Sequence, residues 1–212
     1  MSKDIWAVVP LKVTTGSKQR LSAALPPALR QRLAIAMFGD VLAALTASPE
    51  LAGIVAVTLD PEGTAMARAA GARIVTEGAL DGHTGAVTAA ARLLAAEGRG
   101  TMLALPGDLP LLSPSDITVL TRAHDTACTI VPGHDGRGSN AVMLTPPDAL
   151  PLQFGNDSFV PHMARATALG LNPRKLVLPN IGLDIDTPEE LAMFRAHPSQ
   201  GRAWALLAQE AP

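Results

Sequence analysis

The chain has 212 residues, 48% of them hydrophobic and 17% charged, which suits one compact domain over residues 1–212 and excludes a disordered or fibrous chain. A formal net charge of -2, with no basic run interleaved with aromatics, excludes the electrostatic footprint of a nucleic-acid binder. No apolar run is long enough to span a bilayer or to form a signal core, and the single Cys128 leaves no internal disulfide, so a cytoplasmic protein with no membrane partner and with Cys128 in strand core is expected.

In chain order, the run "IWAVVP" (Ile5 to Pro10) predicts a buried strand that opens into "PLKVTTGSKQRL", a glycine-containing loop. This loop lacks the spacing of a Walker A motif, but Lys12, Lys18 and Arg20 together can neutralise a triphosphate; a solvated basic loop is the alternative reading. Pro27 to Ala47 repeats apolar residues at helical spacing. "GIVAVTLD" (Gly53 to Asp60) predicts the next strand, and Asp60-Pro61 a capped helix start before Glu62 to Ala70. "ARIV" (Ala72 to Val75) is a short strand, and Gly85 to Glu97 an alanine-rich helix. "TMLALP" (Thr101 to Pro106), "ACTIVP" (Ala127 to Pro132) and "NAVMLTP" (Asn140 to Pro146) complete the set of buried, parallel-type strands, with Ser113-Pro114 marking another helix start. "LQFGNDSFVPHM" enters a helix near Ser158 and carries His162 one turn in, read as a partly buried, hydrogen-bonded histidine. The other histidines share no metal-ligand spacing. The tail from Gly201 to Pro212 reads as a surface helix. Strands alternating with helices predict an α/β three-layer sandwich with a mostly parallel sheet.

In such a sheet, ligands sit outside the carboxyl ends of the strands. There "LALPGDLPL" lifts Asp108 out of the core, with Gly107 permitting close approach of another group; a turn-capping aspartate is the bland alternative. "GLDIDTPEEL" places Asp184 and Asp186 two apart on an extended segment, hence on one face, just before a helix begun by Thr187, Pro188 and Glu189. A cap needs one acceptor. Two carboxylates on one face call for a cation between them, and Mg2+ or Mn2+ is the economical partner. "GHDGRGSNAVMLTP" and "LQFGNDSFVPHM" both expose backbone N–H groups suited to a carboxylate or phosphate.

Taken in order, "VVPLK...SKQRL", "LPGDLPLLSP", "DGRGSNAVML", "FGNDSFVPH" and "LDIDTPEEL" resemble the phospholactate guanylyltransferase (CofC) family of coenzyme F-420 biosynthesis, a branch of the MobA-like nucleotidyltransferases. The resemblance implies a GT-A-like nucleotide-diphospho-sugar transferase fold. It also implies a metal-dependent guanylyltransferase that moves GMP from GTP, or another nucleotide from its triphosphate, to a small phosphorylated acid and releases pyrophosphate. The acids are 2-phospholactate, phosphoenolpyruvate or 3-phosphoglycerate. Carried over, Asp108, Asp184 and Asp186 hold the metal, and Asp108 acts in catalysis with Lys12, Lys18 and Arg20. Pro10, Leu11, Lys12, Lys18, Gly82, Pro106 and Gly107 contact the nucleotide, while Ser139, Asn140, Gly155 and Ser158 hold the acceptor acid. A homodimer is left open.

Three departures stand out. Gly-Ser-Asn replaces the family's Gly-Thr-Asn and keeps a hydroxyl. "GNDSF" replaces Gly-Pro-Gly-Ser-Phe, so Asp157 is expected to turn away from the anion site and cap the helix. "DGHTGAVTAAA" stands where the family shows Gly-Leu-Asn-Ala-Ala beside the base, so the choice of GTP rests on the family alone. A sugar-nucleotide glycosyltransferase and a non-catalytic nucleotide-binding module are the competing readings.

Overall fold

The computed structural model describes residues 4–155 and 157–210. The expected apolar runs become β1 (Ile5–Leu11), β2 (Leu51–Thr58), β3 (Arg73–Val75), β4 (Thr101–Ala104), β5 (Cys128–Pro132) and β6 (Ser139–Leu144). An edge strand that no apolar run announces, β7 (Arg174–Lys175), joins them. The helices are α1 (Pro27–Thr46), α2 (Pro61–Ala69), α3 (Gly82–Ala96), α4 (Pro114–Ala123), α5 (Phe159–Ala168), α6 (Pro179–Gly182), α7 (Pro188–Arg195) and α8 (Arg202–Gln209). Residues 211 and 212 of the expected tail helix lie outside the described residues.

β4, β5 and β6 are buried at every position because helices cover both faces, which is why these strands read as continuous apolar runs. On one face Ala7, Val9, Leu103 and Met143 pack against Phe38 and Val41 of α1 and Ile117 of α4. On the other, Val8, Met102 and Val142 meet Val87 and Leu94 of α3 and Phe159 of α5. A third cluster joins Leu33 and Met37 of α1 to Ile185, Phe194 and Leu207. Its members Ala203 and Leu207 give α8 a buried face, so the expected surface helix is an amphipathic buttress for α1.

The strand order is β3-β2-β1-β4-β6-β5-β7. From β1 the chain winds outward to β2 and β3 on one side and resumes at β4 on the other, so the loops leaving β1 and β4 part and open a crevice between them. One strand reverses the sequence reading: β6 runs antiparallel to both β4 and β5. The connection over residues 133–138 is too short for a parallel crossover, so β5 and β6 form a hairpin. Through the pairing of Ala104 with Val142, this reversal sets the beginning of β6, Ser139 and Asn140, beside the residues that leave β4.

The loop after β1 is fastened from two directions. As expected, Asp60 caps α2, its Oδ1 accepting from Gly63 N at 2.9 Å. Its other oxygen accepts from Thr14 N at 2.9 Å and Thr14 Oγ1 at 2.7 Å, tying the basic loop to the end of β2. From α1, buried Arg30 donates to the carbonyls of Ser17 and Lys18, both at 3.2 Å. Burial raises the Asp60 pKa, but the hydrogen bonds from Gly63 and Thr14 outweigh it and hold the carboxyl below the ordinary aspartate value. Its contribution is therefore full above the unfolded pKa, near about 3.9, and is lost as pH falls through the lower folded value. Asp60→Ala is expected to cost about 1–3 kcal/mol in urea melts at pH 7, a gap that narrows toward about pH 3; an unchanged gap would overturn the ionised-acceptor account.

Candidate active site

A cavity of about 970 Å³ opens over the ends of β1 and β4 and the start of β6. Every residue expected for the site lies on its wall. Pro10, Leu11, Lys12, Lys18 and Arg20 come from the β1 side, Gly82 from the first turn of α3, and Pro106, Gly107 and Asp108 from the exit of β4. Ser139 and Asn140, Gly155 and Ser158, and Asp184 and Asp186 complete it. The first and third groups approach closely at Gly107. A Cβ there would stand 3.2 Å from the Pro10 carbonyl oxygen and 3.1 Å from the Phe38 ring, so a side chain would require one of them to give by a few tenths of an ångström.

The three cations of the basic loop do not behave alike. Lys12 and Arg20 are exposed. Lys18 turns inward from a left-handed backbone conformation, φ 53°, and its side chain is only 8% exposed. Its ammonium donates to Asp108 Oδ2 at 2.5 Å and to Asp186 Oδ1 at 2.7 Å. Burial alone would lower its pKa, but the two carboxylates more than reverse this and hold the ammonium above the ordinary lysine value.

Asp184 and Asp186 both face the cavity while Ile185 between them is fully buried, the alternation their spacing predicts. Asp186 belongs to Lys18, whereas Asp184 has no cationic partner among the described residues. Its Oδ1 accepts from Asn140 Nδ2 at 2.9 Å, and that same nitrogen donates to the carbonyls of Ile181 at 3.0 Å and Gly182 at 3.1 Å. The Asn140 amide nitrogen thus serves the carboxylate segment. Burial, then the negative charge of Asp108, pushes Asp184 up to about 6 against the pull of the Asn140 hydrogen bond. Among the described residues, the side chains whose donor atoms could share one ion are His134, Asp184 and Glu190, all within 4.8 Å of one another. The Glu190 Oε2 also accepts from the backbone N–H groups of Asp186 and Thr187, both at 2.7 Å, in the capping box of α7.

The cavity is also lined by a hydroxyl pair. Ser158 Oγ accepts from Ser139 N at 3.0 Å, and Ser139 Oγ lies 3.0 Å from Nδ1 of His162, which is buried and hydrogen-bonded as expected. Burial lowers His162 to about 4. His83, assigned no role by the sequence, also lines the cavity, is likewise lowered to about 4 by burial, and meets the Phe154 ring edge-to-face at 4.4 Å. The Asp157 expectation needs correction. Its carboxylate turns outward but does not cap the helix: the Arg137 guanidinium forks onto it at 2.6 and 3.1 Å, and among the described residues α5 has no side-chain cap. The partner stands across two loops, Arg137 of the β5–β6 hairpin and Asp157, a distance that local sequence signals do not bridge.

A mostly parallel sheet with acidic residues and exposed cations lining a crevice at its strand ends has the nucleotide-diphospho-sugar transferase fold. Solved structures agree on the fold. A protein from Desulfovibrio desulfuricans G20 assigned as a nucleotide-diphospho-sugar transferase superposes with a TM-score of 0.78 at 18% identity, over 98% of this chain and 95% of that one. A nucleotidyl transferase from Methanothermobacter gives 0.64 at 18% identity, over 92% and 97%. Residues 5–209 match the family described as guanylyl transferase CofC like, and the chain belongs to that family. Relatives named phosphoenolpyruvate guanylyltransferase include one from Rubrobacter xylanophilus, 38% identical over 91% of this chain and 94% of that one. Another, from Conexibacter woesei, is 34% identical over 90% and 86%.

The charge layout can be tested through stability. Lys18→Met strands Asp108 and Asp186 against each other and is expected to cost about 2–4 kcal/mol, whereas Lys12→Ala stays within about 0.5 kcal/mol; equal effects in thermal melts would refute the division of labour. Asp184 has a folded pKa above its unfolded one, so the folded state binds the extra proton and wild-type stability falls as pH rises from about 4 to about 6. Asp184→Asn keeps an acceptor for Asn140 and escapes that fall, so metal-free it should melt about 2–4 °C above the wild type at neutral pH. A variant that melts lower at pH 7 and tracks the wild type below pH 4 would show the opposite sign.

Proposed function

We propose that this chain transfers GMP from GTP to the phosphate of a phosphorylated three-carbon acid, phosphoenolpyruvate before 2-phospholactate or 3-phosphoglycerate, with release of pyrophosphate, as a step of coenzyme F-420 biosynthesis. The observation that carries the reading is one cavity lined by exposed cations from the loop after β1, the Asp108, Asp184 and Asp186 carboxylates, and Ser139 and Ser158. The names of the relatives support the same substrates.

The acceptor's phosphate, with a second pKa of about 6, arrives largely as a dianion and can attack the α-phosphorus without a general base. The chain's task is then to bring two polyanions together. Exposed Lys12 and Arg20 attract the triphosphate and offset charge on the departing pyrophosphate. Ser139 and Ser158 receive the acid through hydroxyl donors. Lys18, already shared by two carboxylates, holds the loop in place and adds no free charge.

The residues at the base of the cavity fit a divalent cation, Mg2+ or Mn2+. Asp108 and Asp186 each give Lys18 one oxygen and keep another, and Asp108 Oδ1 is buried with no hydrogen-bond partner among the described residues. With Asp184 crowded beside them, three carboxylates face one lysine, a surplus of negative charge that a cation would balance. Asp108, Asp184 and Asp186 would hold the ion once their oxygens close on it, since in this structure Asp184 stands within 4.8 Å of His134 and Glu190 instead; when bound, the ion would supply positive charge to the α-phosphoryl oxygens.

A matrix of four nucleoside triphosphates against the three acids, read by pyrophosphate release, tests the reading. GTP with phosphoenolpyruvate is expected to lead; no pyrophosphate from any pair would sink it, and a glycosyltransferase would give that blank. Asp108→Asn should lower kcat by about two orders of magnitude or more. Mg2+ should raise the Tm of the wild type and leave Asp184→Asn unmoved, and equal shifts would remove the ion from this site.

A further inference from the structure

Three hydrogen bonds around Ser139 decide where its proton goes. The backbone N–H of Gln153 donates to His162 Nε2 at 2.9 Å. Nε2 therefore carries a lone pair, and the one proton of a neutral imidazole must sit on Nδ1. That Nδ1–H faces Ser139 Oγ at 3.0 Å, so the serine oxygen accepts and its own proton is directed elsewhere. The ring has no room to alternate, since His162 is 1% exposed and the Phe154 ring meets it edge-on at 5.3 Å. Burial also keeps it neutral, with its pKa near about 4.

The same logic applies next door. Ser158 Oγ accepts from Ser139 N at 3.0 Å, which leaves its hydroxyl proton free of that contact. Both serines line the cavity, whereas His162 stands behind them. We propose that His162 is a positioning residue that turns the Ser139 hydroxyl proton away from the imidazole and toward the acceptor acid, so that Ser139 and Ser158 present two donors to a carboxylate or phosphate. With one lone pair of each oxygen already taken and each proton free, the pair offers donors first and favours an ionised acid over its neutral form. The inference rests on the reading that these serines receive the phosphorylated acid.

Two conservative variants separate the contacts. His162→Gln keeps an acceptor for the Gln153 N–H but loses the donor at the Nδ1 position, while His162→Asn keeps that donor. His162→Gln should raise the phosphoenolpyruvate KM roughly tenfold or more with the GTP KM unchanged, and His162→Asn should recover most of the loss. Ser139→Ala should show a similar rise, and adding His162→Gln to it should cost nothing further. Equal rises in both KM values, or additive effects in the double variant, would overturn the proposal. Imidazole 15N NMR of the wild type at neutral pH decides the tautomer even where a variant fails to fold: Nδ1–H is expected, and Nε2–H or a doubly protonated ring overturns the proposal. If the wild type yields no pyrophosphate with any acid, the substrate assignment fails, while the tautomer still decides the orientation of Ser139.

Discussion

The Lys18 ammonium between Asp108 and Asp186 is the contact on which the site's geometry depends. Its partners lie 90 and 168 residues away in sequence, so one buried cation draws together the loop after β1, the exit of β4 and the segment before α7. A lysine with so little exposure stays charged only because two carboxylates offset its desolvation. Its left-handed backbone costs on the order of 1 kcal/mol, held in place by Arg30 gripping the carbonyls of Ser17 and Lys18. The clasp also sorts the remaining charges. With Lys18 satisfied, Lys12 and Arg20 are left to the cavity, and Asp184 is left to the Asn140 amide.

The other half of the site depends on strand direction. Were β6 parallel to β4, its first residues would lie at the far edge of the sheet and Ser139 and Asn140 would be remote from Asp108. The short hairpin from β5 forces the reversal, and the reversal brings a strand start to an edge otherwise made of strand ends. Asn140 then links the halves: its side chain holds both the carbonyls of Ile181 and Gly182 and the carboxylate of Asp184. The β1 and β4 loops and the start of β6 thus meet through the aspartate segment.

Much of this was legible in the sequence, for identifiable reasons. Both-face burial made the central strands readable as apolar runs. Proline and a polar cap marked the starts of α2, α4 and α7, where Asp60, Ser113 and Thr187 each accept from the first turn. Spacing of two put Asp184 and Asp186 on one side of buried Ile185. What escaped was long-range pairing. A lysine in a glycine-containing loop reads as a free cation until its two carboxylates are brought to it by the fold, and Asp157 reads as a helix cap until Arg137 is placed opposite. β7 escaped because Arg174 and Lys175 pair at the sheet edge, where one backbone contact suffices and no apolar pattern is needed. His83 escaped because its ring partner, Phe154, lies far along the chain in another loop.

His83 and His162 stand on either side of Phe154, and burial keeps both neutral near physiological pH. The stretch of cavity lined by His83 and Phe154, with His162 behind it, therefore presents neutral rings. A cationic wall there would hold an anion midway, competing with the exposed lysine and arginine at one end and the hydroxyl donors at the other. In the proposed transfer a neutral one would leave each anion to its own donors and let their phosphates meet near the carboxylates. In a transfer whose nucleophile comes already ionised, such partition of charge replaces the acid and base groups that other group transfers require. On the proposed reading the two imidazoles, which in another enzyme would be candidates for proton transfer, would serve as shape and as fixed hydrogen-bond direction.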